Sequence, residues 1–188
     1  MKTILAATVF SAITFLAAQI SICHADMPPN EMYLGGVGYG TSIDKLIELH
    51  GKPEADYSGY ENSATYVYGG DKIVLIHYNR DTKKIHGVQT LKNSDWNTPG
   101  SIGIGSKISD AVNLYGEPNY KKVGYTKTAY CYVHQTYDNI LKRNVRDYGF
   151  FIGVDNASGI IMELKICGDT DFTTFEEIIG GTMDDISE

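Results

Sequence analysis

Two short segments of the chain share the spacing that places side chains on one face of an α-helix. The positions are Ile43, Leu46, Ile47 and His50 in the first segment and Ile108, Ala111, Val112 and Tyr115 in the second. Thr41 and Ser106 stand before the segments, where a hydroxyl can accept hydrogen bonds from the amides of a first turn. Gly51 and Gly116 follow them and are expected to end each helix. Helices this short do not persist alone, so both are predicted to pack on a sheet.

Three runs of β-branched and aromatic residues follow each predicted helix. They cover residues 66–68, 72–78 and 85–91 after the first helix, and 130–132, 148–154 and 160–166 after the second. Such runs have the composition and length of β-strands. Turn-forming residues 79–84 and 155–159 join the last two runs of each group, which predicts two hairpins. The polar and basic residues 135–147 are predicted to form a long hairpin tip.

The two groups are related by internal repetition, with a shift of 65 residues and no gap. The matched positions are Gly38, Gly40, Ile43, Leu49, Gly51 and Pro53 against Gly103, Gly105, Ile108, Leu114, Gly116 and Pro118. This repetition predicts an α+β fold of two tandem repeats, residues 33–99 and 100–168. Each repeat would be a short helix packed on an antiparallel β-meander of about three strands. Residues 169–188 are predicted to form a short helix, 172–179, and an acidic tail.

Residues 1–25 have the pattern of a secretory signal peptide. Lys2 precedes an apolar stretch, and Cys23 and Ala25 place small side chains three residues and one residue before a cut after Ala25. An uncleaved membrane anchor is the alternative, because about 18 apolar residues can span a bilayer. Polar residues interrupt this stretch, and Ile22 disfavours a lipid anchor on Cys23. We therefore expect an exported chain, periplasmic or secreted, with no membrane span after cleavage.

The chain is acidic, with a formal net charge of −7. Loss of Lys2 with the leader would make it one unit more negative. Phosphate-binding surfaces have the opposite charge, which argues against a nucleic-acid partner. The oligomeric state stays open.

Cys131 and Cys167 remain after cleavage, and an oxidising compartment permits them to form a disulfide. A simple meander would separate them by two inter-strand spacings, about 9–10 Å. A disulfide needs Cα atoms within about 7 Å. Both outcomes are open at this point, and the bond is favoured if the insertion at 135–147 lets Cys167 curl back past the sheet end.

Each predicted helix carries a spaced motif: a glycine, a Ser or Thr near the helix start, an aliphatic residue six positions after that glycine, then Gly-x-Pro. It comprises Gly40, Ser42, Leu46, Gly51 and Pro53, and again Gly105, Ala111, Gly116 and Pro118. The pattern resembles the tandem repeat of the β-lactamase inhibitory proteins and the single repeat of the SmpA/OmlA-type outer-membrane assembly lipoproteins. The resemblance implies two units side by side, a continuous sheet and a concave aromatic face. The chain differs from the lipoproteins in lacking a convincing lipidated cysteine, and from the inhibitors in lacking a cysteine pair in the first repeat.

Eight of the fourteen tyrosines form two clusters after the predicted helices. They are Tyr57, Tyr60, Tyr66 and Tyr68, and then Tyr120, Tyr125, Tyr130 and Tyr132. Tyrosine offers large contact area at low cost in conformational entropy, which suits binding surfaces. The strand period puts Tyr66 and Tyr68 on the face opposite Val67, so both face outward if the aliphatic residues face the helices. The alternative is that these tyrosines only fill a half-buried strand face.

His77 and His86 would lie opposite each other if the first hairpin turns about residues 81–82. Two imidazoles can share a metal, but no third ligand is evident, so we expect solvent-facing strand residues and neither metal nor cofactor. The sequence contains no Gly-x-Ser-x-Gly elbow, phosphate-binding loop or His-Glu-x-x-His motif. We therefore expect no enzymatic activity.

These patterns predict an exported, non-enzymatic binding module that holds a protein or peptide on an aromatic sheet face. One alternative is a structural accessory of envelope assembly. Another is an inhibitor of an extracytoplasmic hydrolase, which rests on the resemblance alone. An enzyme of unrecognised type would need a pocket that holds several titratable groups.

Overall fold

The structure is a computed structural model that describes residues 27–58, 62–70, 73–91, 94–140, 142–168 and 184–185. Several sequence predictions lie outside the described residues. They are the signal peptide 1–25 with its cut after Ala25, the binding residue Tyr60 and the terminal helix 172–179.

The described chain contains two α-helices, one 3₁₀ turn and eleven strands. In chain order they are the 3₁₀ turn Pro29–Glu31, β1 Tyr33–Leu34, β2 Val37–Gly38, α1 Ile43–His50, β3 Ala55–Ser58, β4 Ser63–Tyr68, β5 Val74–Asn79, β6 Lys84–Leu91, α2 Ile108–Tyr115, β7 Tyr120–Val123, β8 Lys127–Asp138, β9 Arg143–Asp155, β10 Ile161–Gly168 and β11 Asp184–Asp185. We call α1 with β3–β6 the first half, and α2 with β7–β10 the second half.

One antiparallel sheet of nine strands runs through both halves, in the order β11-β7-β8-β9-β10-β6-β5-β4-β3. The halves meet where β10 pairs with β6, with Leu164 opposite Thr90 and Ile166 opposite Val88. The predicted α+β class with antiparallel strands is confirmed. The prediction of about three strands in each meander is one strand too few. In the first half β3 also pairs with β4, and in the second half β7 also pairs with β8. These strands are short and partly polar, so their composition did not identify them.

Both helices end as the sequence predicts, but they begin differently. Gly51 and Gly116 have φ of 77° and 82°, a region that favours glycine. The hydroxyl of Thr41 accepts from Gly38 N at 3.0 Å and that of Ser106 from Gly103 N at 3.1 Å, so both close the preceding turn. Ser42 is instead the residue that caps α1, because its hydroxyl accepts from Lys45 N at 3.2 Å.

The main hydrophobic core lies between the sheet and the two helices. Helix α1 contributes Ile43 and Leu46, and α2 contributes Ala111 and Tyr115. The strand side chains facing them belong to the same cluster, which continues across the β6–β10 junction. Both helices therefore cover the same face of the sheet.

Thr90 lies in this core, at the junction of the halves. Its side-chain hydroxyl is the one enclosed side-chain polar atom without a hydrogen-bond partner among the described residues. An unsatisfied buried hydroxyl costs about 1–3 kcal/mol. We expect Thr90→Val to raise the free energy of unfolding by about 1 kcal/mol, measured by urea denaturation.

Thr98→Val is the matched control for that experiment. The Thr98 hydroxyl lies 2.6 Å from the Tyr115 hydroxyl and accepts from Ile102 N at 3.1 Å. Removing it should lower the free energy of unfolding by about 1–2 kcal/mol. A loss of similar size in Thr90→Val would contradict the assignment of Thr90 as unsatisfied.

Candidate binding face

The sheet has two faces with different surroundings. In β5, Val74, Ile76 and Tyr78 are buried beneath the helices, while Leu75 and His77 between them point the other way and are half-buried. We call the side away from both helices the open face. Strand pairing extends it across the sheet, since Val67 pairs with Leu75, and Leu75 with Gln89.

The structure places Tyr68 and Tyr132 on the helix side, so Tyr68 does not face outward and neither ring is available to the predicted tyrosine surface. They are 6% and 0% exposed. The Tyr68 hydroxyl donates to Gly51 O at 3.1 Å, and the Tyr132 hydroxyl donates to Gly116 O at 3.0 Å. Each ring fills the space beneath a helix end, and each hydroxyl satisfies a carbonyl at the helix C-terminus.

Tyr66 and Tyr130 also lie on the helix side, at the margin of the core, and are half-buried. The ring of Tyr66 lies 4.5 Å from that of Tyr78, centroid to centroid. The ammonium of Lys121 lies 5.1 Å from the centre of the Tyr130 ring. These contacts fit the alternative interpretation, in which tyrosine fills a half-buried strand face.

The three other described tyrosines of the predicted surface are dispersed. Tyr57 is 62% exposed and pairs with Thr65, whose side chain lies on the open face. Tyr120 is half-buried against the second-half cluster described below, and Tyr125 is fully exposed. The tyrosines that the structure describes therefore do not form one surface.

The open face differs between the halves. In the first half, its side chains are half-buried or exposed; they include Tyr57, Thr65, Val67, Leu75, His77, His86, Gln89 and Leu91. In the second half, a separate buried cluster forms on this face from Ala129, Cys131, Val133, Phe151 and Cys167. In the sequence, this face corresponds to the residues that alternate with the tyrosines along each strand. That alternation is the sequence signal that could have identified the face.

Cys131 and Cys167 both belong to that buried cluster. Cys131 pairs with Phe151 of β9, and Phe151 pairs with Lys165 of β10, so β9 lies between the two cysteines. Two inter-strand spacings are about 9–10 Å, beyond the reach of a disulfide between unmoved backbones. The disulfide stays a prediction.

His77 and His86 lie together on the open face, with ring centroids 6.2 Å apart. His77 Nδ1 lies 3.0 Å from the Thr65 hydroxyl. His77 pairs with Gly87 rather than His86, because the register shifts after it. Within the part of the chain that the structure describes, no three His, Cys, Asp or Glu side chains group as metal ligands would.

The polar centre of the open face is the Glu163 carboxylate. It accepts from Gln89 Nε2 at 2.6 Å with one oxygen and pairs with Lys127 Nζ through the other. The Lys127 chain reaches it by passing over Gly153, where an added Cβ would lie 2.5 Å from Lys127 Cε. Sequence spacing did not reveal this cluster, because its members come from three strands.

Comparisons with known proteins show the fold and no family. No family profile matches the chain, and neither does any curated protein. A cysteine-rich secretory protein from Staphylococcus aureus is similar, with 15% identity and a TM-score of 0.55 over 88% of this chain and 56% of that one. An extracellular protein with an SCP domain from Bacillus anthracis has 12% identity and a TM-score of 0.49 over 72% and 45%. A DUF4309 family protein from Bacillus subtilis has 13% identity and a TM-score of 0.43 over 77% and 88%.

This chain spans about half the length of the first two structures. At these identities the likeness to the Staphylococcus aureus protein concerns fold alone. The resemblance to the inhibitory proteins and assembly lipoproteins is not tested by these matches and stays a prediction. Among the described residues, no helix has the length and apolar character needed to cross a bilayer.

Proposed function

We propose that this protein is an exported, non-enzymatic binding module that holds a protein or peptide on the open face of its first half. The observation that carries the proposal is the difference between the two halves of that face. Val67, Leu75 and Leu91 are apolar and only half-buried on β4–β6, whereas their second-half counterparts form a buried cluster. A half-exposed apolar sheet surface rimmed by polar groups is a common feature of protein interaction sites.

The arrangement of titratable groups supports binding rather than catalysis. The Glu163 carboxylate accepts a hydrogen bond from Gln89 and forms an ion pair with Lys127, so its role is structural. A small recess near the N-terminal end of the described chain is lined by Pro29, Met32, Tyr33 and Tyr39. Its lining carries no carboxylate, imidazole or thiol to act as acid, base or nucleophile.

We further propose that the two halves are copies of one unit, as the sequence repetition predicts. Equivalent backbone bonds support this proposal. Gly40 N donates to Ile85 O at 2.8 Å in the first half, and Gly105 N donates to Ile161 O at 2.9 Å in the second. Binding would then have developed on one copy, while the same face of the other copy became buried.

The test is affinity capture with the mature chain, residues 26–188, from envelope and culture-supernatant extracts of its source. Leu75→Asp places a charge in the centre of the proposed surface and should lower partner affinity roughly tenfold or more. Val123→Asp is the matched control, because Val123 is an exposed apolar residue on β7, outside this surface. Circular dichroism and thermal unfolding check that both variants fold.

A partner that is retained by Val123→Asp and lost by folded Leu75→Asp would establish the surface. A hydrolase among the partners would favour the inhibitor alternative, and an envelope complex the accessory alternative. Equal capture by wild type and Leu75→Asp would contradict the proposed face. Measured turnover of any substrate, lost on changing Glu163, would contradict the non-enzymatic function.

A further inference from the structure

Lys165 lies near the centre of the open face, where the two halves meet. On β10 it pairs with Gln89 of β6 on one side and Phe151 of β9 on the other. Only 5% of the residue is exposed. Lysine is seldom this buried unless its ammonium is paired.

The Lys165 ammonium has no hydrogen bond or ion pair within the described chain. Glu163, two residues away on the same face of β10, has its carboxylate oxygens engaged by Lys127 and Gln89. This group of three charged residues carries one net positive charge, on a chain whose formal net charge is −7.

The ammonium nevertheless keeps contact with solvent. Thr90 Oγ1 is the one enclosed side-chain polar atom without a partner in the described residues, so Lys165 Nζ, which also lacks a partner, is not enclosed. The aliphatic stem is covered and the charged end emerges, as in other amphipathic side chains at apolar surfaces. A positive charge therefore opens onto the face.

We propose that Lys165 binds a carboxylate of the ligand, an inference that rests on the proposed function of the open face. A charge-assisted hydrogen bond from an ammonium on a largely buried side chain is stronger than one formed in bulk water. Lys165 continues the row of paired residues Val67, Leu75 and Gln89. A single ligand can thus contact the apolar residues and the ammonium together.

The strand spacing sets the shape of that ligand. Lys165 lies two strands from Leu75 and three from Val67, or about 10 and 14 Å away. An extended peptide rises about 3.3 Å per residue, so the carboxylate should follow an apolar side chain by three or four residues. The carboxylate can belong to an Asp or Glu side chain or to a chain terminus.

Fluorescence anisotropy with three labelled peptides tests this inference on the mature chain. The first is Leu-Thr-Thr-Thr-Glu with an amidated end, the second is Leu-Thr-Thr-Thr-Gln amide, and the third is Leu-Thr-Thr-Thr-Gln with a free C-terminal carboxylate. We expect one or both carboxylate peptides to bind roughly tenfold more tightly than the neutral one. The preference should weaken as salt rises from 50 to 500 mM, and the better carboxylate peptide identifies the source of the charge.

Variants at position 165 separate charge from packing. Lys165→Met keeps a long apolar stem and should abolish the carboxylate preference, while Lys165→Arg keeps the charge and should retain it. If Lys165→Met retains the preference, or no carboxylate peptide binds more tightly than the neutral one, the role of Lys165 is overturned.

Leu75→Asp distinguishes this failure from failure of the proposed function. If all three peptides bind with equal affinity and Leu75→Asp abolishes that binding, the proposed binding face is supported and only the role of Lys165 is contradicted. A carboxylate preference that depends on Lys165 and survives Leu75→Asp would support the anion site and overturn the face.

Discussion

The protein should lose its folded structure as the pH rises from about 10 to about 12. Four tyrosines of the core account for this expectation. Burial raises the pKa of Tyr68, Tyr78 and Tyr115 to about 12, from an ordinary value of 10.0. Burial also raises the pKa of Tyr132. These hydroxyls lie in the core beneath the helices or at its edge.

The direction follows from proton linkage. A folded-state pKa above the unfolded value means that the folded chain keeps protons that the unfolded chain releases. The stabilisation is complete below pH 10 and is lost as the pH rises through the folded-state pKa. Between the two values each such tyrosine contributes a slope of about 1.4 kcal/mol per pH unit. Over two pH units the four together would remove up to about 11 kcal/mol, which is comparable to the stability of about 5–15 kcal/mol that a domain has.

Urea denaturation at intervals from pH 8 to pH 12, followed by circular dichroism, measures this loss. Tyr68→Phe and Tyr132→Phe each lose the bond to a helix carbonyl and should cost about 1 kcal/mol at pH 8. Each should also reduce the alkaline slope, since one titrating group has been removed. A denaturation midpoint that stays constant to pH 12 would contradict the burial of these hydroxyls.

Glu163→Gln should lower the free energy of unfolding by about 2–4 kcal/mol at neutral pH. The Glu163 side chain is 12% exposed and its partner Lys127 is 36% exposed. Removing one member of a largely buried pair leaves the other charge without compensation, a loss of about 3–5 kcal/mol when burial is complete. The partial exposure of Lys127 reduces that figure, while Lys165 nearby increases the uncompensated charge.

Glu48→Gln is the control for this experiment. Glu48 forms an ion pair of 2.7 Å with Lys45 on the outer surface of α1, where both side chains are about half exposed or more. Its loss should cost less than about 0.5 kcal/mol. Equal effects of the two substitutions, in urea denaturation at pH 7, would mean that Glu163 does not hold the open face together.

The unequal open face gives the two halves different roles in the proposal. Phe151, Cys131 and Cys167 are enclosed in the second half and add to its stability. Leu75 and His77 remain accessible in the first half. Glu163 of β10 connects the two halves, because its carboxylate accepts a hydrogen bond from Gln89 of β6 and also pairs with Lys127 of β8. A ligand at Lys165 would therefore lie beside the Gln89–Glu163 hydrogen bond that links the halves.

Sequence alone predicted where the two helices end and most of the antiparallel strands. Helix α1 ends at His50 and α2 at Tyr115, directly before Gly51 and Gly116. The extended hairpin of β8 and β9 also lies where the polar residues 135–147 predict it. These features depend on neighbouring residues, such as a glycine with positive φ or a run of β-branched side chains. They were therefore visible without knowledge of distant contacts.

Local pattern did not determine which side of the sheet meets the helices. Alternation correctly placed Tyr66 and Tyr68 opposite Val67, but a period of two is the same whichever face is covered. Tertiary packing decided the matter, because the Tyr68 ring fits beneath α1 and its hydroxyl satisfies Gly51 O. The same applies to Lys165 and Glu163. Their surroundings arise from the pairing of β6 with β10, strands separated by more than sixty residues, and only the folded chain brings those partners together.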